Sequence, residues 1–156
     1  MKLSTRGKYG LKAIFELSLH VEEGPIPLNV IASRQKIPEQ YLEQIFSTLK
    51  KSQLIKSVRG AQGGYLLNEN PKNITVGDVL SILEGPVALS QCILDEGSCE
   101  NANDCSTKIV WEKLKKGIED VLNSITLQDM IDDYIKRNND IKTKEFDITN
   151  LINNKN

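Results

Sequence analysis

One histidine, one tryptophan and three cysteines are all that a 156-residue chain offers here of the side chains most enzymes and electron carriers depend on. His20 stands alone, so no serine–histidine or cysteine–histidine pair suggests itself as nucleophile and base. The glycine-rich stretch from Gly60 to Gly64 joins two β-like runs, whereas a phosphate-cradling loop must feed a helix. An enzyme is the least supported reading. Long apolar runs are missing too: none approaches the ~20 residues a membrane helix needs, and the N-terminus has no signal-peptide core. The chain is therefore expected in the cytoplasm, away from membranes. Thiols stay reduced there, and clustered cysteines point to metal or redox chemistry before disulfides.

Neither half of the chain is balanced in charge, although the whole nets only −1. Residues 1–67 carry ten Lys/Arg against five Glu, and residues 68–156 carry ten against sixteen Asp/Glu. A basic head joined to an acidic half suits a polyanion-binding part with a regulatory part attached. Surface charge unevenly dealt gives the same numbers, so the motifs have to decide.

Periodicity predicts a helix from Thr5 to Val21 with two apolar faces, one of Tyr9, Ala13, Ile14 and Leu17, the other of Leu11, Phe15 and Leu19. A helix apolar on two sides is expected between two bodies, its own domain and a partner subunit. Leu28 to Arg34 reads as a short helix, and Pro38 to Lys51 as an amphipathic one. Leu42, Ile45, Phe46 and Leu49 fall on one side of it; Gln40, Glu43, Gln44, Ser47 and Lys51 fall opposite. Short helix, turn and amphipathic helix form a helix-turn-helix pattern. Leu54 to Val58 and Gly64 to Leu67 then read as a hairpin, the wing of a winged helix.

Thr75, with Asp78 three residues on, caps a further helix that ends at Glu84-Gly85-Pro86. A long helix is expected from about Asn103 to Ile125, with Val110, Trp111, Leu114, Ile118, Val121, Leu122 and Ile125 on one stripe. So long a stripe suits a dimer seam better than a small head, although a helix lying across its own domain gives the same pattern. Thr126 and Asp129 cap a short last helix, followed by a polar tail. The expected fold is mainly α with a small β-hairpin: a winged helix-turn-helix with a long dimerisation helix. Its parts are a DNA-binding domain over 1–86, a cysteine loop over 87–104, dimerisation helices over 103–137 and a flexible tail over 138–156.

In that setting the outward residues Gln40, Glu43, Gln44 and Ser47 are candidate base readers. Glutamine pairs bidentately with adenine, glutamate accepts from the cytosine amino group, and serine serves either way. Arg59 at the wing tip suits a minor groove, where the negative potential is deepest. Lys2, Arg6, Lys8, Lys50, Lys51 and Lys56 are candidate phosphate contacts. Cys92, Cys99 and Cys105, spaced C-x6-C-x5-C, are the candidate metal ligands. Zinc usually takes C-x(2–4)-C pairs, which are absent. Three bare thiols in a loop are the plain alternative.

The run from Met1 to Gly10 (MKLSTRGKYG), Tyr41-Leu42-Glu43-Gln44 and Ser57 to Leu66 (SVRGAQGGYL) resemble the Rrf-type bacterial transcription regulators, over residues 1 to about 134. The resemblance implies a homodimer on double-stranded promoter DNA, with base contacts from Gln40, Glu43 and Gln44 and a minor-groove contact from Arg59. It also implies an iron–sulfur cluster, [2Fe–2S] or [4Fe–4S], held by the three cysteines. IscR-type members place a histidine three residues after the last cysteine, where this chain has Lys108. NsrR-type members, the nitric-oxide sensors, can use an aspartate near the N-terminus, where this chain has Lys8. His20, Asp95, Glu96, Glu100, Asp104, Ser106 or an exogenous ligand remain open as the fourth. CymR-type members lack the cysteines and answer to a metabolic enzyme partner, and Glu84-Gly85-Pro86 resembles them.

Overall fold

A computed structural model of the chain describes residues 3–87 and 105–153, with side chains described as far as Ile141. Six helices and one two-stranded antiparallel hairpin occur among the described residues: α1 (Thr5–Leu19), α2 (Leu28–Gln35), α3 (Glu39–Lys51), β1 (Ile55–Val58), β2 (Gly64–Leu67), a short 3-10 turn (Pro71–Asn73), α4 (Val76–Glu84), α5 (Lys108–Ser124) and α6 (Leu127–Asn153). The expected winged helix-turn-helix with an appended long helix is the fold observed.

The apolar stripe of α3 buries Leu42, Ile45, Phe46 and Leu49 completely. They meet Ala13, Ile14 and Leu17 of α1, Ile31 of α2, Ile55 of β1, and Val79 and Leu83 of α4 in one core. The turn between α2 and α3 is held by Lys36 in the left-handed region (φ 54°) and by Ile37, whose N–H reaches the Ala32 carbonyl at 2.9 Å. Pro38 is the cap residue just before α3 rather than its first helical residue. That shift suits proline, which gives up no intrahelical hydrogen bond there.

The wing pairs Ile55 with Leu67 and Val58 with Gly64. Ile26, between α1 and α2, adds a backbone bridge to Tyr65, with N–H to O distances of 3.0 and 2.9 Å. Tyr65 stacks edge-on against Phe46, their ring centres 4.9 Å apart. The hairpin is thereby fastened to α3 on one side and to the α1–α2 connection on the other. A Cβ at Gly64 would overlap the Ile26 backbone, so only glycine permits this approach.

Two capping boxes sit side by side. Thr75 and Asp78 open α4, Thr126 and Asp129 open α6, and each threonine N–H reaches its aspartate at 2.8 Å. The chain before α6 is stitched to the chain before α4 by Val76 N–H to Ile125 O at 2.8 Å and Leu127 N–H to Ile74 O at 2.9 Å.

Two expectations are revised. The long helix begins at Lys108 rather than near Asn103, because Cys105 to Thr107 form the turn that starts it and Lys108 N–H closes onto the Cys105 carbonyl at 3.1 Å. The last helix is not short: α6 runs for 27 residues, through the stretch assigned to a tail, as far as Asn153. No glycine or proline interrupts residues 127–153, and once a capped turn exists each further residue adds a hydrogen bond. Ion pairing at i, i+4 between Asp133 and Arg137, 2.7 Å apart, adds to it.

Candidate nucleic-acid interface

The side of α3 opposite its buried stripe presents Gln40, Glu43, Gln44 and Ser47, all exposed. Their 3.6-residue spacing opposes them to Leu42, Ile45 and Leu49, so burying one set aims the other outward. Lys50 and Lys51 lie exposed in the last turn of α3, where cations also suit the helix dipole, and Lys56 lies exposed on β1. Arg59 is exposed at the wing tip beside Gly60, whose φ of 119° makes the turn that holds it out. The structure thus brings the candidate readers, the wing arginine and three lysines into one unit of α3 and hairpin. Arg6 differs: its Nη2 donates to Thr48 Oγ1 at 2.6 Å, which ties α1 to α3. Lys8 is exposed on α1.

Of the three cysteines, Cys105 lies among the described residues; Lys2, Cys92 and Cys99 lie outside them, as do Asp95, Glu96, Glu100 and Asp104. Cys105 is half-buried at the start of α5. Its Sγ is 3.2 Å from the Thr107 hydroxyl. That hydroxyl, the Thr107 and Lys108 backbone N–H groups and the Lys108 charge outweigh desolvation and hold the thiol below its usual value. A thiolate sulfur is the donor an iron–sulfur centre takes, and these contacts favour that form over the thiol. Among the described residues no three His, Cys, Asp or Glu side chains gather as a metal site. Lys108, in the position of the family's histidine, stands 4.0 Å from Glu112 in an ion pair.

His20, one of the residues left open as a fourth ligand, belongs to a half-buried polar network that the sequence does not announce. Glu16 is buried within the apolar face of α1 and accepts from Arg34 Nη1 at 2.9 Å and Gln35 Nε2 at 2.7 Å, both on α2. His20 Nε2 lies 3.1 Å from the same carboxylate, and Nδ1 lies 2.9 Å from Glu23. Burial pushes the Glu16 pKa up, but its hydrogen bonds with Arg34 and Gln35 and the neighbouring positive charge outweigh this and leave it lowered. The network locks α1 to the first helix of the helix-turn-helix. Its one local signal was an acidic residue at a core position of an apolar helix.

A reading helix with a fastened wing, set in a helical head and continued by a long helix, defines a DNA-binding transcription regulator of the winged-helix type. The chain belongs to the Rrf2 family, described as iron-dependent transcriptional regulators, whose model matches residues 3–133. It is 43% identical over 131 residues to the HTH-type transcriptional regulator IscR of Pectobacterium atrosepticum, a match covering 84% of this chain and 79% of that one. Among solved structures it is similar to T. potens IscR, with 48% identity and a TM-score of 0.72 over 86% of this chain and 88% of that one. It is also similar to CymR, the global cysteine regulator of B. subtilis, with 38% identity and a TM-score of 0.70 over 85% and 97%. The chain is a regulator, not an enzyme, and among the described residues no helix is long and apolar enough to cross a membrane.

Proposed function

We propose that the protein is a cytoplasmic homodimer that reads promoter DNA through Gln40, Glu43, Gln44 and Ser47 of α3 and Arg59 of the wing. In this reading Lys2, Lys50, Lys51 and Lys56 bind phosphates, and occupancy answers to an iron–sulfur cluster held by Cys92, Cys99 and Cys105. The observation that carries the regulatory part is the position of Cys105: its thiol stands at the turn that starts α5, hydrogen-bonded to Thr107, which lowers its pKa. When bound, a cluster would supply a centre that oxidants or a shortage of iron can remove.

The rest is work of the chain itself. Two recognition helices must meet successive major grooves roughly 34 Å apart, and the helix that joins the subunits sets that distance. The face of α5 suits such a seam, because Val110, Leu114 and Val121 are all about half exposed. A change of packing at Cys105 is therefore well placed to alter the spacing of the heads. The fourth ligand is not Lys108, since a protonated lysine has no lone pair to give.

Anaerobic purification followed by an absorbance spectrum and iron and sulfide assays tests the reading. Brown protein with iron and sulfide in each subunit is expected. Colourless protein, free of both and fully competent on DNA, would transfer the regulatory role to a metabolic enzyme partner. That second reading draws on the likeness to the cysteine regulator of B. subtilis and on Lys108 standing where the family's histidine is expected.

A further inference from the structure

The first turn of α1 is tied to two elements that are distant in sequence. Ser4, its N-cap, accepts from the Gly7 N–H at 3.2 Å and donates its own hydroxyl to Glu84, the last residue of α4. A Cβ at Gly7 would meet that carboxylate and displace it. On the same turn Arg6 Nη2 donates to Thr48 Oγ1 at 2.6 Å, and the Thr48 hydroxyl donates in turn to the Gln44 carbonyl at 3.2 Å. The first turn of α1 therefore bridges the end of α4 and the middle of the recognition helix.

Chemistry distinguishes this from an ordinary cationic surface group. An arginine that clamps a phosphate offers its fork of N–H groups to two oxygens at once. One Nη of Arg6 is already spent on a side-chain hydroxyl within the protein. Receiving that hydrogen bond fixes the Thr48 oxygen as acceptor and turns its own proton toward Gln44, so donor, hydroxyl and carbonyl align and polarise one another. A hydroxyl bonded back to the i−4 carbonyl also bends the helix slightly at that point. Gln44 is a base reader in the proposed function, and Glu43 is its neighbour.

We propose that Arg6 is a positioning residue for base recognition, acting through Thr48 to set where Gln44 and Glu43 stand against the base edges, and not a phosphate contact. The proposal rests on α3 being the base reader. Because Glu84 holds the same turn, a displacement at the end of α4 reaches α3 along this route.

The test uses the full-length protein and a duplex selected by it from random-sequence DNA. Binding is measured to that duplex, and to one altered at the base pair where Gln44→Ala loses its preference, across a salt series. Arg6→Ala and Thr48→Val should each lower the discrimination between the two duplexes roughly five- to tenfold, the size of one weakened base contact. The slope of log affinity against log salt should match wild type, and the double variant should be no worse than either single one. Thr48→Ser, which keeps the hydroxyl, should retain wild-type discrimination; loss there overturns the role given to the hydroxyl. If Arg6→Ala weakens both duplexes equally and flattens the salt slope by about one unit per half-site, Arg6 is a phosphate contact and the proposal is wrong. If neither Gln44→Ala nor Glu43→Ala changes any base preference, the assignment of α3 as reader fails first, and that result is distinct from the failure of Arg6 alone.

Discussion

Glu43 and Arg59 carry the sharpest residue-level expectations, because each is exposed and neither supports the core. A carboxylate among phosphates is repelled unless a base edge compensates it, so Glu43→Ala should broaden the selected sequence while binding persists. The discrimination lost should be about 1–3 kcal/mol, the worth of one base contact. A selected motif identical to wild type would remove Glu43 from the readers. Arg59→Ala should weaken binding to the selected duplex, as measured by titration at fixed salt, and most where the minor groove is narrow. Glu16 bears on stability. Its lowered pKa means that the folded state favours the carboxylate, so its stabilisation is present above the ordinary value of 4.5 and fades as pH falls through the folded value. Glu16→Gln should cost roughly 1.5–3 kcal/mol at neutral pH, as for a hydrogen bond to a charged group. In urea titrations the gap from wild type should close in acid; a gap constant with pH would show that the charge is immaterial.

At the scale of elements, α5 is the helix whose side chains do not explain themselves within one subunit. It contains no buried residue, yet Leu114 and Val121 are 46% and 58% exposed on the stripe expected to meet a partner. Leu114→Asp or Ile118→Asp would place a carboxylate in that seam at a cost of several kcal/mol. Analytical ultracentrifugation should then find monomer or aggregate, and an unperturbed dimer would mean that the stripe is not the interface. The junction before α6 is held differently, by backbone bonds from Ile74 and Val76 and by the Thr126–Asp129 box. There the Asp129 carboxyl sits below its usual range because the Thr126 backbone and hydroxyl donate to it.

For the whole molecule, the two decisive properties are salt dependence and colour. In the proposed dimer a basic head on each subunit would neutralise several phosphates, so affinity should fall steeply and linearly in log–log form as salt rises. A shallow dependence would leave the head's lysines as solvated surface. Cys92→Ala, Cys99→Ala or Cys105→Ala should each abolish visible iron–sulfur absorbance in anaerobic protein. Lys108→His should slow its loss in air, because an imidazole supplies the lone pair that lysine lacks. Unchanged decay would show that position 108 does not face the centre.

Much of this was legible in the chain because its signals are local. Helix periodicity exposed the reading face of α3, Thr75 and Asp78 announced the start of α4 three residues apart, and Gly60 and Gly64 marked the wing loop. Each depends on neighbours within a turn or two, which a linear pattern records. The length of α6 was misjudged because a polar composition resembles a tail, while helix propagation needs only a capped start and no breaker. The partners of other residues had no local trace. Arg6 meets Thr48 across 42 positions, Glu16 meets Arg34 and Gln35 across 18 and 19, and Leu127 closes onto Ile74. A lone arginine reads as a phosphate contact, and its bond to Thr48 follows only from the packing of α1 on α3. The sequence alone determined which surfaces are apolar, basic or capped; only the tertiary structure decided which polar groups meet, because such meetings follow from how the helices stack and not from the order of residues along any one of them.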